Sequence, residues 1–215
     1  MADLKSVFET IVSTNKWADE ESRSGAGSTL SYTHNLRREL ENVVAKFGVA
    51  TFFDAPCGDF NWMKAVSFPE ETKYIGGDIV SFLVLANNLS HASTSRKFVE
   101  FDLTQDQFPN CDLWFCRDCL FHLSFDLIFR ALSGFCRSDS KYVMMTNHLN
   151  TSRFRNKDIE SGEFRLLDFY IEPFNLPRKV LYAVPDYVFP FPRREMCVWS
   201  RSQIVDALQL SRRLA

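Results

Sequence analysis

The chain of 215 residues lacks a surplus of charge: 25 Lys and Arg stand against 27 Asp and Glu, a net charge of −2. Without a basic excess we expect no nucleic-acid partner. No apolar run reaches the length that spans a bilayer, and the start MADLKSVFET has no signal-peptide core. These absences predict one soluble, cytoplasmic domain with no membrane partner, and the length suffices for one sizeable core.

The six cysteines lack the spacing of a metal site. Cys116 and Cys119 form one CxxC pair with Cys111 nearby, but no second CxxC and no histidine pair lie at finger spacing. The pair does not precede a helix in the thioredoxin manner. We interpret the cysteines as small buried hydrophobes in a reducing compartment, and we predict no metal site among them.

Glycine is also scarce where a dinucleotide-binding turn would need it. That fingerprint has three glycines, whereas TFFDAPCGDF (51–60) has only Gly58 in register. The pattern Asp54-x-Pro56-x-Gly58-x-Phe60 still ends a short apolar run and turns towards a predicted helix. By itself it is compatible with either a nucleoside-binding turn or an ordinary strand-to-helix turn.

The rest of the chain alternates between short apolar runs and segments of helical length. The runs predict buried strands, and their alternation with helices predicts an α/β fold with right-handed crossovers and a mostly parallel sheet flanked by helices. The predicted strands are 49–55, 73–79, 97–104, 111–124 (running into a loop) and 141–149, and the predicted helices are 60–67, 81–92 and 124–137, the last with Ser124 as N-cap.

Acidic residues follow four of these strands: Asp54, Asp78, Asp102 and Asp118. Ligands in such sheets bind beyond the carboxyl ends of the strands, so four acids in succession form a candidate site. Each acid taken singly is equally typical of a helix N-cap or a solvated loop.

The turn at 54–60 resembles the first motif of the S-adenosylmethionine (SAM)-dependent methyltransferases, with Pro56 and Phe60 replacing two of its glycines. Longer strings are similar to one bacterial and viral methyltransferase family, whose members are often found beside, or fused to, proteins that build polysaccharides. These strings are ESRSGAGSTL (21–30), DAPCGDFNWM (54–63), YIGGDIV (74–80), CRDCLFHLS (116–124) and PFNLP (173–177), to which 155–159 and Arg165 add matches, while the terminal ALQLSRRLA is generic.

The resemblance implies a Rossmann-like SAM-methyltransferase fold with SAM as cofactor and S-adenosylhomocysteine (SAH) as product. It places Asp54 near the methionine amino group, Asp78 on the ribose and Asp102 near the adenine. The remaining residues of the expected cofactor site are Ala55, Gly58, Asp59, Trp62, Ile79, Leu103 and Arg117.

The histidines supply candidates for a general base. His122 and His148 follow the fourth and fifth strands, and imidazole titrates near neutrality. We name His122 and Asp118 as the catalytic candidates: either is the base, Asp118 orients the histidine, or both bind a divalent metal. The competing interpretation is that His122 and His148 are hydrogen-bonded core residues.

Residues 1–48 predict a helical segment that covers the cofactor, ahead of a core at 49–215. Its Ser- and Gly-rich part, 17–33, is compatible with a bare linker. Arg23 is a candidate partner for the methionine carboxylate, because a guanidinium forks onto a carboxylate. The aromatic and proline-rich stretch 185–195 is interpreted as a loop that partly covers the substrate.

The function that these patterns favour is O-methylation of a sugar hydroxyl in a glycan or nucleotide sugar, and the resemblance implies an association with glycosyltransferases. The sugar rests on the resemblance alone. The signature of many N-methyltransferases is absent, since its place reads Arg117-Asp118-Cys119-Leu120. Methyl transfer to another small molecule and a catalytically inactive nucleoside-binding scaffold stay open as alternatives.

Overall fold

The computed structural model describes residues 3–151 and 153–214, with side chains as far as Gln209. The predicted segments 1–48 and 49–215 thus include Met1, Ala2, Ser152 and Ala215, which lie outside the described residues. The division between the two segments stays a prediction.

A seven-stranded sheet organises the chain, in the order β3-β2-β1-β4-β5-β7-β6. The first five strands along this order are parallel, and β7 pairs antiparallel with both β5 and β6. The strands are β1 (Thr51–Asp54), β2 (Lys73–Asp78), β3 (Arg96–Glu100), β4 (Leu113–Cys116), β5 (Tyr142–His148), β6 (Tyr182–Pro185) and β7 (Arg194–Ser200). The predicted α/β class and mostly parallel sheet are confirmed.

Five α-helices accompany the sheet within the described residues: α1 (Leu4–Ser13), α2 (His34–Phe47), α3 (Ser81–His91), α4 (Phe125–Arg137) and α5 (Arg201–Leu214). Helices α3 and α4 confirm the predictions for 81–92 and 124–137. The hydroxyl of Ser124 accepts a hydrogen bond from the backbone N–H of Leu127, which confirms the predicted N-cap.

Alternating side chains of the strands fill a core on each face of the sheet. Phe53 and Trp114 pack in one cluster, whereas Phe52 and Phe115 pack in the other. Since successive strand residues point to opposite faces, strands buried on both sides read as unbroken apolar runs. Much of the chain's phenylalanine is accordingly core.

The predicted helix at 60–67 is wrong. Only a short 3₁₀ turn, Met63–Ala65, forms there. Gly58 and Phe60 both have positive φ, +55° and +58°, so the backbone cannot enter a right-handed helix at this point. Phe60 is instead buried against Tyr74 and Phe98.

Several predicted limits also need correction. The third strand ends at Glu100 rather than 104, so Asp102 lies in the loop that follows it. The fourth strand begins at Leu113 rather than 111 and ends at Cys116. As predicted, it runs into a loop that holds Asp118 and His122, the latter in a 3₁₀ turn, Leu120–His122. No helix in the described part of the chain is long and apolar enough to cross a membrane.

Candidate active site

A cavity opens at the carboxyl ends of β1, β2 and β4. Strands β1 and β4 are neighbours at the point where the strand order reverses, which is where open α/β sheets bind ligands. The predicted site residues that line it are Asp54, Gly58, Asp59, Trp62, Asp78, Ile79, Asp102, Leu103, Arg117, Asp118 and His122. Neither Ala55 nor Arg23 is part of this lining.

The turn after β1 brings backbone close to the cavity at Gly58. A Cβ atom on Gly58 would lie 2.2 Å from the hydroxyl of Ser24, and the φ of +55° also favours glycine. The N–H of Gly58 donates to Asp78 at 2.9 Å, and the N–H of Val80 donates to the other carboxylate oxygen at 2.9 Å. The Asp78 carboxylate is thereby fixed, and each oxygen has a further lone pair to accept a hydroxyl.

Burial shifts the titration of both acids at the centre of the cavity. It raises the pKa of Asp78 to about 6, although backbone N–H donors at Val80 and Gly58 work against the shift. It raises the pKa of Asp54 to about 8, against the Tyr74 hydroxyl that donates to Asp54. A cation placed beside Asp54 would lower that pKa again and favour the carboxylate.

Asp59 connects the turn after β1 to the N-terminal segment. Its carboxylate accepts from the hydroxyl of Ser22 at 2.9 Å and from the backbone N–H of Arg23 at 2.7 Å. Asn61 adds hydrogen bonds to Glu21 and to the carbonyl of Ser28. The stretch 17–33 is therefore packed onto the turn and is no bare linker.

The side chain of Arg23 is exposed, and only its backbone joins this network. Its proposed contact with a methionine carboxylate stays a prediction that the cavity lining does not support. Ala55 donates its backbone N–H to Phe115 and accepts from the indole of Trp114, so it holds strands rather than facing the cavity.

Apolar side chains line the end of the cavity near β3, where Phe8 and Val12 of α1 meet Leu83 and Leu103. The carboxylate of Asp102 beside them is engaged by residues of its own loop. One oxygen accepts from the N–H and hydroxyl of Thr104, and the other accepts from the amide of Gln105. This end of the cavity suits a flat, apolar group such as a nucleobase.

Two buried arginines and two carboxylates form an ionic cluster beside β4. Arg117 donates two hydrogen bonds to Asp186, at 2.8 and 3.1 Å, and Arg194 pairs with Asp118 at 2.8 Å. Arg194 also donates to the carbonyl of Asp186 at 2.8 Å. Burial works against the charge of Arg117, but the two carboxylates outweigh it and raise its pKa.

Sequence reasoning missed Asp186 and Arg194. Asp186 precedes the apolar run 187–192, and Arg193 and Arg194 follow it. The available signal was this placement of charged residues at both ends of an aromatic loop. No described residue of 185–195 lines the cavity, so the predicted cover over the substrate has no support from the lining. The loop contributes through its two ends.

The cluster makes Asp118 a poor base. Burial opposes its charge, but the guanidinium groups of Arg117 and Arg194 lower its pKa below the ordinary value. The backbone of Asp118 is also held in place, because its N–H donates a hydrogen bond to the Thr146 hydroxyl at 2.9 Å. Asp118 is therefore a fixed, ionised group that lines the cavity at the end of β4.

His122 has the properties of a base that faces the cavity. Its Nδ1 lies 2.7 Å from the carbonyl oxygen of Glu163, which can only accept, so Nδ1 carries the proton and Nε2 has the free lone pair. Burial lowers the pKa of His122, which keeps the ring neutral at physiological pH. Trp17 and Phe164 lie beside the ring, with centroids 5.5 and 5.9 Å away.

His148 has a different environment. Its Nδ1 accepts from the N–H of Leu167 at 3.1 Å, and burial with the charge of Arg194 lowers its pKa to about 4. It is almost fully buried and does not line the cavity. Within the described residues, no three His, Cys, Asp or Glu side chains converge to hold a metal ion. The six cysteines are all free, and five are buried, as predicted.

Comparison of folds identifies the architecture. Magnesium protoporphyrin IX methyltransferase from Synechocystis PCC 6803, solved with SAH, superposes with a TM-score of 0.60 at 12% identity, covering 92% of this chain and 98% of that one. The chain has the Rossmann-like fold of the SAM-dependent methyltransferases. In sequence it matches no protein-family model and no curated protein.

Other similar structures share this fold at equally low identity. The methyltransferase domain of bacterial CtHen1 has a TM-score of 0.60 at 11% identity and covers 79% of this chain and 98% of its own. The N-methyltransferase NodS from Bradyrhizobium japonicum WM9 has a TM-score of 0.54 at 9% identity, with 78% and 98% covered. At such identities the likeness establishes the fold, and the acceptor must be argued from the site.

Proposed function

We propose that this protein is a SAM-dependent methyltransferase that methylates a hydroxyl group of a small-molecule acceptor, with a sugar as the favoured class. The observation that carries the proposal is His122: a neutral imidazole on the cavity wall whose free Nε2 can take a proton. Methyl transfer to a hydroxyl needs a positioned base of this kind.

The cavity fits the cofactor. Its apolar end near Leu103 suits the adenine, the fixed carboxylate of Asp78 suits the ribose hydroxyls, and buried Asp54 suits the methionine ammonium. Ser24 packs so closely against Gly58 that a larger residue there would clash with it and disturb the turn that borders the cavity. When bound, SAM supplies an electrophilic methyl group on its sulfonium.

His122 then acts on the acceptor. Its Nε2 accepts the proton of the acceptor hydroxyl while the hydroxyl oxygen bonds to the methyl carbon and the bond from that carbon to sulfur breaks. The carbonyl of Glu163 holds the ring in place through Nδ1 and stabilises the imidazolium that forms. Asp118, which is ionised and fixed, adds electrostatic stabilisation of that imidazolium.

A sugar is supported by the resemblance to methyltransferases found beside polysaccharide-building proteins and by Trp17, which lines the cavity next to His122. Association with glycosyltransferases and a cytoplasmic location belong to the same proposal. The fold alone does not choose an acceptor: its relatives include a porphyrin methyltransferase and an N-methyltransferase.

Calorimetry with SAH, followed by mass spectrometry of a sugar panel incubated with SAM, tests the proposal. We expect SAH to bind. We also expect one class of hydroxyl acceptor to gain about 14 mass units, because methylation replaces a hydrogen by a methyl group. Failure to bind SAH would end the proposal. Binding without turnover on sugars, other alcohols or amines would favour the inactive scaffold instead.

A further inference from the structure

Arg165 stands apart from the other buried arginines. The described residues include three buried arginines, of which Arg117 and Arg194 share the carboxylates of Asp118 and Asp186. Arg165 is 7% exposed, and none of its three guanidinium nitrogens has a hydrogen-bond partner. Burial lowers its pKa to about 10, so the group is still charged at neutral pH. A buried charge without a counter-charge is strongly unfavourable.

The surroundings of Arg165 do not neutralise it. The guanidinium stacks on the ring of Phe125, with its central carbon 5.0 Å from the ring centroid. Asp158 is the acid that acts on it electrostatically, but no ion pair forms, and one Asp158 oxygen accepts from the N–H groups of Phe125 and Ile159. The stack covers one face of the guanidinium, and all three of its nitrogens are buried without a partner, so its donors can pair with an anion only after the covering side chains move.

Arg165 belongs to the segment that holds His122. The N–H of Gly162 donates to the carbonyl of His122, and the N–H of Arg165 donates to the carbonyl of Phe121. The charges of Arg165 and Lys16 both act on the His122 ring, which lines the cavity. The base therefore has two cations near it, one from the N-terminal segment and one from 161–165.

We propose that the acceptor carries an anionic group, a carboxylate or a phosphate, which pairs with Arg165 while a hydroxyl of the same molecule reaches His122. This deepens the proposed function, on which it rests, by restricting the acceptor to hydroxylated acids such as uronic acids or sugar phosphates. Arg165 does not line the cavity, so the segment 161–165 must shift for the anion to reach it. Phe164 of this segment is 56% exposed and contacts Phe121, His122 and His148.

Binding measurements that need no methyl transfer test this proposal. The protein saturated with SAH is titrated with glucuronate, glucose 6-phosphate and neutral glucose at constant ionic strength. We expect one of the two anions to bind on the order of tenfold or more tightly than glucose, since a charge-assisted pair is gained. Which anion binds tells a carboxylate from a phosphate. Equal binding of all three probes overturns the proposal.

Variants locate the anion. Arg165→Met should lower the affinity for the preferred anion to that of glucose, whereas Arg130→Met, on the exposed face of α4, should leave it unchanged. The same Arg165→Met should raise the melting temperature of the free protein, because an unpaired buried charge is removed. If the anion binds equally well to Arg165→Met, the site lies elsewhere. If that variant does not fold, Arg165→Lys is tested in its place. It should bind the anion more weakly, because an ammonium cannot make the bidentate contact of a guanidinium, and an unchanged affinity would contradict the assignment.

The outcome is separable from that of the proposed function. Anion binding at Arg165 without methyl transfer to any hydroxyl would support the anion site and contradict the proposed methyltransferase activity. Methyl transfer to neutral sugars as fast as to charged ones would support the proposed activity and contradict the anionic acceptor.

Discussion

The carboxylate of Asp59 accepts hydrogen bonds from the hydroxyl of Ser22 and from the backbone N–H of the next residue, Arg23. The turn after β1 and the N-terminal segment therefore form one unit. Ser24 and Ser28 of that segment line the cavity together with Asp59. A change at Asp59 is therefore expected to affect the N-terminal segment and the cavity wall together.

Asp59→Ala should weaken SAH binding by releasing the segment, by on the order of tenfold for the loss of its charge-assisted hydrogen bonds. Hydrogen exchange should increase at 21–30 in the same variant. Arg23→Ala is the matched control, because it keeps the backbone N–H that Asp59 binds. A selective loss of SAM over adenosine in Arg23→Ala would instead show that its side chain clamps the methionine carboxylate.

Asp78→Asn should reduce affinity for SAH and adenosine alike, since both carry the ribose. The carboxamide replaces one acceptor oxygen by a donor, which opposes the N–H of Gly58 or Val80. We expect a loss of about 1.5–3 kcal/mol per charge-assisted bond, measured by calorimetry. Unchanged affinity would remove Asp78 from the ribose site.

Asp54 predicts a pH dependence of stability in the protein without ligand. The pKa of Asp54 is about 8 in the folded protein, whereas its ordinary value, which applies to the unfolded chain, is 3.8. Between these values the folded state holds a proton that the unfolded state releases. The stabilisation is complete below the ordinary value and is lost as the pH rises through about 8, at up to about 1.4 kcal/mol per pH unit.

Thermal unfolding of the protein and of Asp54→Asn between about pH 5 and pH 9 checks this sign, because the difference between them isolates Asp54 from the histidines. The normal protein should lose stability relative to the variant as the pH rises. SAM, with its ammonium, should stabilise the normal protein more at the upper end of the range. A pH-independent difference would contradict the raised pKa.

The sequence was sufficient to predict the first two parallel strands and the acids at their ends. Asp54 and Asp78 end apolar runs, and parallel strands bring such ends to one edge of the sheet. The sequence could not show that no helix follows Gly58. The helix is prevented by the left-handed backbone at Phe60 and by the packing of its ring against Phe98.

The ionic cluster was beyond sequence reasoning for a different reason. Asp186 is 69 positions from Arg117, and Arg194 reaches Asp118 only because β7 inserts next to β5 in antiparallel register. Pairing across such distances is a property of the folded sheet. The unpaired state of Arg165 likewise becomes visible only when its neighbours are placed.

The pH dependence of methyl transfer in His122→Asn tests the central claim most directly. With a true acceptor, the normal protein should show an acidic limb below the ordinary pKa of histidine, since burial lowers the pKa of His122. His122→Asn should keep its affinity for SAH, lose that limb and react about 10²–10⁴-fold more slowly, whereas Asp118→Asn should lose less. A chelator should leave the normal rate unchanged. A His122→Asn protein with the normal rate and the normal acidic limb would contradict the account.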